Sequence, residues 1–323
     1  MKILITGGTG SLGRALIQKL KNVDGVEVVV FSRDEGKHAL YFGSDSDVQC
    51  FIGDIRDYRK LDKTMKIVRP DRVIHTAALK RIDDMEFHPD ECVKTNIQGS
   101  ENVALAALKN EVEKCILIST DKACQPVNVY GSSKFIAERI FTNFDYNSTS
   151  TIFSSVRYGN VIASRGSFIP LWLQLIRAGK EINITSMECS RFLFTLSDAV
   201  DTVLNALDCA TGGEIFIPNL KSFRMRDIVS AVGRLAEIPE VKCNIVGLRP
   251  GEKIHEDMLS KTELPYAWKT HYDGLLAVVP QYTKKKHIFP EKYVGRELNS
   301  EIHVSRDVEC LIELINAGLQ YND

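Results

Sequence analysis

The hydrophobic pattern of the first half of the chain alternates between short apolar runs and segments with helical spacing. The apolar runs predict five strands, over residues 2–6, 26–31, 48–52, 71–75 and 114–119. The other segments repeat apolar residues every three or four positions, which predicts helices over 13–21, 58–68, 90–109 and 131–144. Near-continuous runs of Val, Ile and Leu are typical of parallel strands that are buried on both faces. The alternation therefore predicts an α/β fold with a doubly wound parallel sheet.

The pattern is less regular after about residue 160. Helical spacing predicts helices over 171–179, 197–207 and 225–236, with short strands such as 214–217 between them. We therefore predict a nucleotide-binding domain over 1–160 and a smaller mixed lobe over 161–323, which mainly binds substrate and returns some segments to the sheet. No low-complexity linker or internal repeat separates the two parts, so they are expected to form one unit.

A glycine-rich turn follows the first predicted strand and precedes the first predicted helix. Residues 6–13 read T-G-G-T-G-S-L-G, with glycines three positions apart at Gly7, Gly10 and Gly13. Such a turn lets the backbone approach a pyrophosphate, and the helix start offers it free N–H groups. Glycine turns also occur in ordinary loops, but the strand–turn–helix context favours a Rossmann-type dinucleotide site. Its predicted ligands are residues of the turn, namely Gly7, Thr9, Gly10, Ser11, Leu12 and Gly13.

The end of the second predicted strand distinguishes the two nicotinamide cofactors. An NAD site needs a carboxylate there for the ribose 2′-hydroxyl, whereas this chain has Ser32-Arg33-Asp34. Ser32 can bond a 2′-phosphate, Arg33 can pair with it and stack on the adenine, and Lys37 adds positive charge. The carboxylate of Asp34 keeps NAD open as an alternative, and NADP is the predicted cofactor. The residues expected beside the adenine follow the third strand, Asp54 and Ile55.

A Tyr-x-x-x-Lys pair begins the helix that follows the fifth strand. Tyr130 and Lys134 are four positions apart, so they share one helix face. An ammonium beside a phenol favours the phenolate, which can accept a hydroxyl proton during hydride transfer to a nicotinamide. Ser119 and Thr120, at the end of the strand, supply hydroxyl groups that can orient the reacting hydroxyl. The spacing alone often arises by chance, but its position after the strand favours catalysis.

Together these motifs resemble the extended short-chain dehydrogenase/reductase superfamily. Within it, residues 119–123 (STDKA) and 126–131 (PVNVYG) are similar to the inverting UDP-N-acetylglucosamine 4,6-dehydratases of the polysaccharide biosynthesis protein family. Retaining dehydratases are expected to have Asp-Glu where this chain has Asp121-Lys122. Further matching segments are 32–35, 77–80, 94–96, 157–161, 164–167 and 249–253, so the resemblance extends from residue 2 to about residue 260.

The resemblance implies a role for each catalytic residue. Tyr130, assisted by Lys134 and Thr120, takes the proton of the sugar 4-hydroxyl. Lys122 then removes the proton on carbon 5 as a neutral amine, and we expect desolvation and nearby cations to lower its pKa. Asp121 protonates the departing 6-hydroxyl, and burial is expected to help it hold that proton. The product is a 4-keto-6-deoxy sugar inverted at carbon 5.

The resemblance also implies the binding residues outside the motifs above. Further cofactor ligands are Ala78, Lys80, Thr95 and Val161, together with Tyr130 and Lys134. The UDP-sugar ligands are Lys80, Lys122, Asn160, Arg165, Thr185, Arg191, Arg249 and Glu252. Arginine suits a diphosphate because its guanidinium makes bidentate, charge-assisted bonds. Each arginine taken alone could equally be a surface charge.

Composition and charge narrow the partners and the location. The formal net charge of −1 argues against a nucleic-acid or anionic-membrane partner, because either usually requires a basic excess. The eight cysteines are scattered and show no metal spacing with the histidines, so we expect reduced thiols, no metal and a cytoplasmic protein. No visible signal peptide precedes the first strand, and no apolar run approaches the roughly 20 residues that span a bilayer. The family resemblance implies a homo-oligomer, and residues 284–286 (KKK) are interpreted as a solvated loop.

Two other functions stay open on the sequence alone. A UDP-sugar 4-epimerase would use the same cofactor and the same Tyr130–Lys134 pair but release no water. A non-catalytic, NADP-binding regulator could share the fold, because fold does not determine function. Asp121-Lys122 argues against the epimerase, and retention of both members of the tyrosine–lysine pair argues against the regulator.

Overall fold

We analysed a computed structural model of the chain. It describes residues 1–43, 47–162, 164–238, 240–283 and 287–320. The lysine run at 284–286 lies outside the described residues. Among the described helices, none combines the length and the hydropathy that a membrane span requires.

The elements of the fold are as follows. The strands are β1 Lys2–Thr6, β2 Glu27–Ser32, β3 Val48–Ile52, β4 Arg72–His75, β5 Lys114–Ile118, β6 Ile152–Val156, β7 Asn160–Val161, β8 Ile182–Ile184, β9 Ser190–Phe194, β10 Ile215–Pro218, β11 Ser222–Arg224, β12 Cys243–Ile245, β13 Asp257–Leu259, β14 Ala267–Lys269, β15 Leu275–Val278, β16 Glu291–Lys292 and β17 Leu298–Asn299. The α-helices are α1 Ser11–Leu20, α2 Glu35–Phe42, α3 Tyr58–Val68, α4 Ile82–Phe87, α5 Pro89–Cys92, α6 Gly99–Lys109, α7 Val129–Asn147, α8 Phe168–Arg177, α9 Leu196–Cys209, α10 Met225–Leu235 and α11 Val308–Gln320. A π-helix spans Val93–Gln98, and short 3-10 helices span Asp121–Ala123 and Leu264–Tyr266.

Ten of the described strands form one sheet in the order β16-β14-β15-β10-β6-β5-β4-β1-β2-β3. The seven strands from β10 to β3 run parallel, and the pairs β10–β15, β15–β14 and β14–β16 are antiparallel. The order 3-2-1-4-5-6 within it is that of a dinucleotide-binding Rossmann sheet. The predicted α/β fold with a doubly wound sheet is therefore confirmed.

Alternate residues of the central strand face opposite layers of helices. Ile3 and Ile5 of β1 pack in the cluster that includes residues of α1 and α9, whereas Leu4 packs with residues of α3, α6 and α7. Successive side chains of a strand point to opposite faces, so both faces of β1 are buried. All three residues are fully buried. The glycine turn and the segment that leads to Tyr130 therefore follow strands of a sheet that helices cover on both faces.

The predicted helix over 90–109 is interrupted. The structure has α5, then the π-helix Val93–Gln98, and only then α6. The wider turn brings Asn96 against the loop after β4, where its side chain accepts from Leu79 N and donates to Leu79 O. Turns of this kind occur often at functional sites because they redirect side chains without ending a helix. Apolar spacing does not reveal such an interruption, since the buried positions continue through it.

The second half of the chain adds strands to the main sheet and also forms a separate apolar cluster. Strands β10, β14, β15 and β16 belong to the main sheet. A separate apolar cluster joins α8, α10 and α11 with β8 and β9, and includes Trp172, Ile228 and Leu311. The domain boundary near residue 160 stays a prediction.

Candidate active site

The glycine turn between β1 and α1 has the backbone geometry of a phosphate cradle. Gly7 has φ of 72°, and a Cβ there would lie 2.7 Å from the backbone nitrogen of Ala77. A Cβ on Gly13 would lie 2.6 Å from Cα of Gly8, so the helix can approach the turn only with glycine present. Gly10 is the N-cap of α1 and makes no side-chain capping bond, and the first turn has no acidic residue. The first N–H groups of α1 therefore suit an anionic ligand.

The residues predicted to select NADP lie at the end of β2, but most of their polar groups have partners within the protein. The Ser32 hydroxyl is buried and hydrogen-bonded to His38. The Asp34 carboxylate caps α2 by accepting from Lys37 N at 3.0 Å, and it also pairs with the Lys37 ammonium. Arg33 is 54% exposed at the side chain and lies 3.5 Å from Asp54. Arg33 is thus the member of this group that is best placed to meet a phosphate.

The residues predicted beside the adenine follow β3, and Thr95, a further predicted cofactor residue, lies in the π-helix before α6. Asp54 accepts from Arg56 at 2.7 Å; burial opposes ionisation of Asp54, but this partner lowers its pKa overall. Ile55 is buried against Gly99, where a Cβ would lie 2.6 Å from its Cδ1. Thr95 is buried, and its hydroxyl has no hydrogen-bond partner among the described residues. A buried hydroxyl without a partner is compatible with a bound polar ligand.

The other predicted cofactor residues surround the same strand ends. Thr9 is buried in the turn, and Leu12 and Val161 pack against the core of the sheet. Ala78 lies half-buried in the loop after β4.

Arg165 was predicted to bind the sugar nucleotide. In the structure it contacts Ser11, in the glycine turn, and Tyr41 of α2. Its backbone N–H donates to the Ser11 hydroxyl at 3.0 Å, and its guanidinium donates to the Tyr41 hydroxyl. Lys80 donates to the carbonyl of Arg165 at 3.2 Å. The segment that carries Arg165 therefore joins the N-terminus of α1 to the loop after β4.

The residues predicted to act as acid and base lie where β5 ends. Thr120 donates to Asp121 Oδ1 at 2.9 Å, and Lys122 Nζ donates to the same oxygen at 2.9 Å. Lys122 also donates to the side-chain oxygen of Asn160 at 3.3 Å. Asp121 is fully buried, and its second oxygen, Oδ2, has no partner among the described residues.

Gly131 determines how closely α7, the helix that carries Tyr130, approaches these residues. Asn128 caps α7 by accepting from Gly131 N at 2.7 Å. A Cβ on Gly131 would lie 2.3 Å from the carbonyl oxygen of Lys122, so this contact requires glycine. The first turn of α7 is consequently held against the 3-10 helix Asp121–Ala123, and Tyr130 lies within the electrostatic reach of Lys122. The structure thus brings Thr120, Asp121, Lys122 and Tyr130 together, as the sequence predicted.

The charge states differ from those expected from the sequence. Burial raises the pKa of Tyr130 to about 12, although the charge of Lys122 and a bond from Thr120 oppose the shift. Burial lowers the pKa of Lys134 to about 8, which the charge of Glu138 partly offsets. Burial also disfavours the Lys122 ammonium, but the carboxylates of Asp121 and Glu256 outweigh it and raise its pKa. The expectation of a lowered pKa for Lys122 was therefore wrong: burial and Arg191 do lower it, but the two carboxylates outweigh them.

A buried ion-pair network contacts α7, the helix that carries Tyr130. Arg157 is fully buried and donates to Glu138 of α7 at 2.7 Å and to Glu263 at 3.0 Å. Glu138 also accepts from the Ser119 hydroxyl at the end of β5. Burial opposes ionisation of Glu263, yet Arg157 lowers its pKa to about 2. Sequence reasoning missed this network because its members are far apart in the chain.

Four of the eight residues predicted to bind the sugar nucleotide meet around the carboxylate of Glu252. Glu252 accepts from Arg191 at 3.1 Å, from Thr185 at 3.2 Å and from Arg249 Nε at 3.2 Å. Arg249 is about half exposed and also pairs with Asp83 at 2.8 Å. The turn that contains Gly251 is linked to the start of α7, because Asn128 donates to the carbonyl of Gly251 at 2.8 Å.

Glu256 is a candidate residue that sequence reasoning missed. It precedes β13, is 3% exposed, and lies with Oε1 3.5 Å from Lys122 Nζ. Its other oxygen, Oε2, has no partner among the described residues. A glutamate four positions beyond Glu252 is unremarkable in sequence, and only the fold brings it to the end of β5. No group of His, Cys, Asp and Glu suited to a metal ion occurs within the described part of the chain.

Comparison with known proteins agrees with this arrangement. The family model described as "Polysaccharide biosynthesis protein" matches residues 3–277, most of the chain. The chain belongs to this family. A relative from Campylobacter jejuni, named UDP-N-acetylglucosamine 4,6-dehydratase (inverting), is 42% identical over 84% of this chain and 81% of its own. A relative from Rickettsia massiliae, named UDP-glucose 4-epimerase, is 40% identical over 82% of this chain and 79% of its own.

The fold is shared by solved structures of other proteins, over different shares of the chain. The X-ray structure of Pen from Bacillus thuringiensis matches with a TM-score of 0.88 and 32% identity over 98% of both chains. The dTDP-glucose 4,6-dehydratase DesIV from Streptomyces venezuelae matches with a TM-score of 0.70 over 79% of this chain and 87% of its own. At 19% identity the second likeness shows the short-chain dehydrogenase/reductase fold alone.

Proposed function

We propose that the protein is an inverting UDP-N-acetylglucosamine 4,6-dehydratase that uses NADP. The observation that carries the proposal is the meeting of Asp121, Lys122 and Tyr130 at the end of β5. A 4-epimerase needs a group that exchanges the 4-hydroxyl proton. A dehydratase needs, in addition, a base for the carbon-5 proton and an acid for the 6-hydroxyl, and this site offers candidates for both.

The relatives support this choice but do not make it alone. Dehydratase and epimerase relatives have similar identity to the chain, at 42% and 40%. The inverting dehydratase therefore rests on the relative's name together with the Asp121–Lys122 pair beside Tyr130. The 4-epimerase remains the second candidate, and water release distinguishes the two reactions.

The first step in this proposal removes the proton of the sugar 4-hydroxyl. The chemistry that a bound nicotinamide dinucleotide supplies is reversible hydride transfer. Tyr130 accepts the hydroxyl proton, and Thr120 hydrogen-bonds the reacting oxygens. Burial raises the pKa of Tyr130 to about 12, and the charge of Lys122 and a bond from Thr120 oppose that shift and so favour the phenolate that this step needs. Lys134, four positions further along α7, is proposed to add positive charge to the same site.

The second step removes the carbon-5 proton and the 6-hydroxyl. Lys122 accepts the proton on carbon 5, which the neighbouring ketone has made acidic. Asp121 donates a proton to the departing hydroxyl, and its unpartnered Oδ2 is the oxygen that can hold it. The hydride taken from carbon 4 would return from the cofactor to carbon 6, and delivery of a proton to the opposite face of carbon 5 then gives the inverted product.

The UDP group is proposed to lie against the cluster around Glu252. Arg191 and Arg249 supply charge-assisted bonds of the kind that suit a diphosphate. Thr185 and Asn160 supply neutral polar groups, and Asn160 also contacts Lys122 at 3.3 Å. Arg165 and Lys80 are proposed to close over both ligands from the side of the glycine turn.

NADP as the cofactor rests on the arrangement at the end of β2. The Asp34 carboxylate already bonds Lys37, so it is less suited to a ribose hydroxyl, while Arg33 remains exposed. A cytoplasmic location and self-association are part of the same proposal. Self-association is supported by the apolar residues Phe135 and Ile136, which are partly exposed on α7.

Replacing Arg33 with alanine is expected to weaken NADP⁺ binding about tenfold to a hundredfold, the cost of a charge-assisted bond to the 2′-phosphate. NAD⁺ binding should change little, because NAD⁺ lacks that phosphate. Titration calorimetry of both cofactors measures the two affinities. Arg59→Ala, at an exposed position of α3, is the matched control. Equal losses for the two cofactors would show that Arg33 does not read the 2′-phosphate.

The function is tested by incubating the protein with UDP-N-acetylglucosamine in deuterated water, followed by proton NMR and mass spectrometry. We expect loss of one water molecule, deuterium at carbon 5 and an inverted configuration there. Epimerisation at carbon 4 without water loss would identify a 4-epimerase. Absence of any reaction with UDP-sugars would favour a regulatory protein.

A further inference from the structure

The proposed reaction does not yet name the group that accepts the proton of the Lys122 ammonium. Lys122 must be a neutral amine when it meets the carbon-5 proton, yet two carboxylates surround its ammonium. Asp121 lies 2.9 Å away and Glu256 lies 3.5 Å away. A group within contact must therefore accept the proton of Lys122 before the carbon-5 proton is removed.

The contacts of Lys122 identify that group. Its ammonium meets three side chains in the described structure, those of Asp121, Asn160 and Glu256. An amide such as Asn160 does not take up a proton at neutral pH. Asp121 must already hold a proton for the departing 6-hydroxyl. Glu256 is the remaining acceptor.

We propose that Glu256 is a positioning residue that accepts the Lys122 proton and so makes the amine available for carbon 5. This inference rests on the proposed dehydratase function. The Nζ–H bond of Lys122 breaks and an O–H bond forms at Oε1 of Glu256. A cation and an anion become two neutral groups, so the net charge of the buried site does not change.

The transfer closes the proton cycle of the reaction. Lys122 regains a proton from carbon 5, and Asp121 loses its own to the departing water. Glu256 then returns its proton to Asp121 through Lys122, which contacts both carboxyl groups. Tyr130 takes one proton from the 4-hydroxyl and must release one again, which balances the proton that is delivered to the opposite face of carbon 5, so the enzyme neither gains nor loses a proton.

The surroundings of Glu256 suit a carboxyl group that is protonated part of the time. Burial raises its pKa, whereas the positive charges of Lys122, Arg191 and Lys253 oppose the shift. Among the described residues, no donor lies against Oε2 of Glu256, so this oxygen makes no bond that would hold the carboxyl group in its ionised form. The backbone is held in place on both sides, since Glu256 N donates to Ser300 Oγ and Ser300 N donates to the Glu256 carbonyl, each at 2.8 Å.

The test is Glu256→Gln, which keeps the shape of the side chain but cannot accept a proton. At neutral pH we expect kcat for water loss and carbon-5 exchange to fall about 100-fold, with KM nearly unchanged. Rapid oxidation at carbon 4, seen as reduced nicotinamide, should persist. The activity of the variant should recover as pH rises, because Lys122 can then lose its proton to solvent, and Glu256→Asp should restore part of the rate.

Asp257→Asn is the matched control, since Asp257 is the next residue and pairs with Lys253 and Asn299. It should keep the wild-type rate and pH profile. An unchanged rate and pH profile in Glu256→Gln would overturn the proposal. So would an equal loss of carbon-4 oxidation, which would indicate a structural role.

A substrate-free measurement separates this inference from the proposed function. Nitrogen-15 NMR of the lysine side chains, with Lys122→Arg used for assignment, follows the titration of Lys122 in the cofactor-bound enzyme. Loss of the Glu256 carboxylate should lower the pKa of Lys122, because the ammonium loses a stabilising negative charge. An unchanged titration refutes the role of Glu256. Failure of the wild-type enzyme to release water refutes the dehydratase function instead.

Discussion

Replacement of Lys122 by alanine is expected to reduce water loss from UDP-N-acetylglucosamine by about 10²–10⁴-fold, the usual contribution of a general base. Oxidation at carbon 4 should continue, because Tyr130 and Thr120 are intact. The variant should therefore accumulate reduced nicotinamide and release no 4-keto-6-deoxy sugar. Stopped-flow absorbance follows the first event, and mass spectrometry follows the second.

Two further variants sharpen this result. Lys122→Arg keeps a cation near Asp121 and Glu256 but cannot lose its proton at accessible pH, so it should be as inactive as the alanine variant. Lys114→Ala, at the opposite end of β5, removes a lysine that bonds the carbonyls of Leu207 and Asp208. It should retain the rate. Full dehydration by Lys122→Ala would assign the carbon-5 base to another residue.

Replacement of Arg157 by methionine is expected to lower the free energy of unfolding by about 3–5 kcal/mol. The guanidinium is fully buried between Glu138 and Glu263, so its removal leaves two carboxylates without their shared cation. It also removes the bond to the carbonyl of Met258, which connects the end of β6 to β13. Urea unfolding followed by circular dichroism measures the change.

The control variant removes a more exposed arginine that lies near the same Glu138 carboxylate. Arg139 lies 3.9 Å from Glu138 and is about half exposed, so Arg139→Met should cost no more than about 1 kcal/mol. Adding Glu138→Gln to Arg157→Met should recover part of the loss, because one uncompensated charge is removed. Equal stability of the Arg157 and Arg139 variants would contradict a stabilising role for the buried network.

Much of the sheet and its cofactor cradle could be predicted because local patterns encode them. The predicted strands at 2–6 and 48–52 and the predicted helix at 58–68 have the bounds of β1, β3 and α3. Each element buries a periodic set of apolar residues, which short-range spacing reveals. Strand β6 was not predicted, since Ser154 and Ser155 interrupt its apolar run, although both are buried.

The sequence by itself determined the Rossmann sheet, the glycine turn and the pairing of Asp121 with Lys122, because each depends on residues that are close together in the chain. Tertiary structure alone decided the charges around them. Arg157 meets Glu263 from 106 positions away, and Glu256 reaches Lys122 from the other half of the chain. The pKa of Lys122 follows from those long-range contacts, since electrostatic energy depends on distance and burial in the folded protein rather than on separation along the chain.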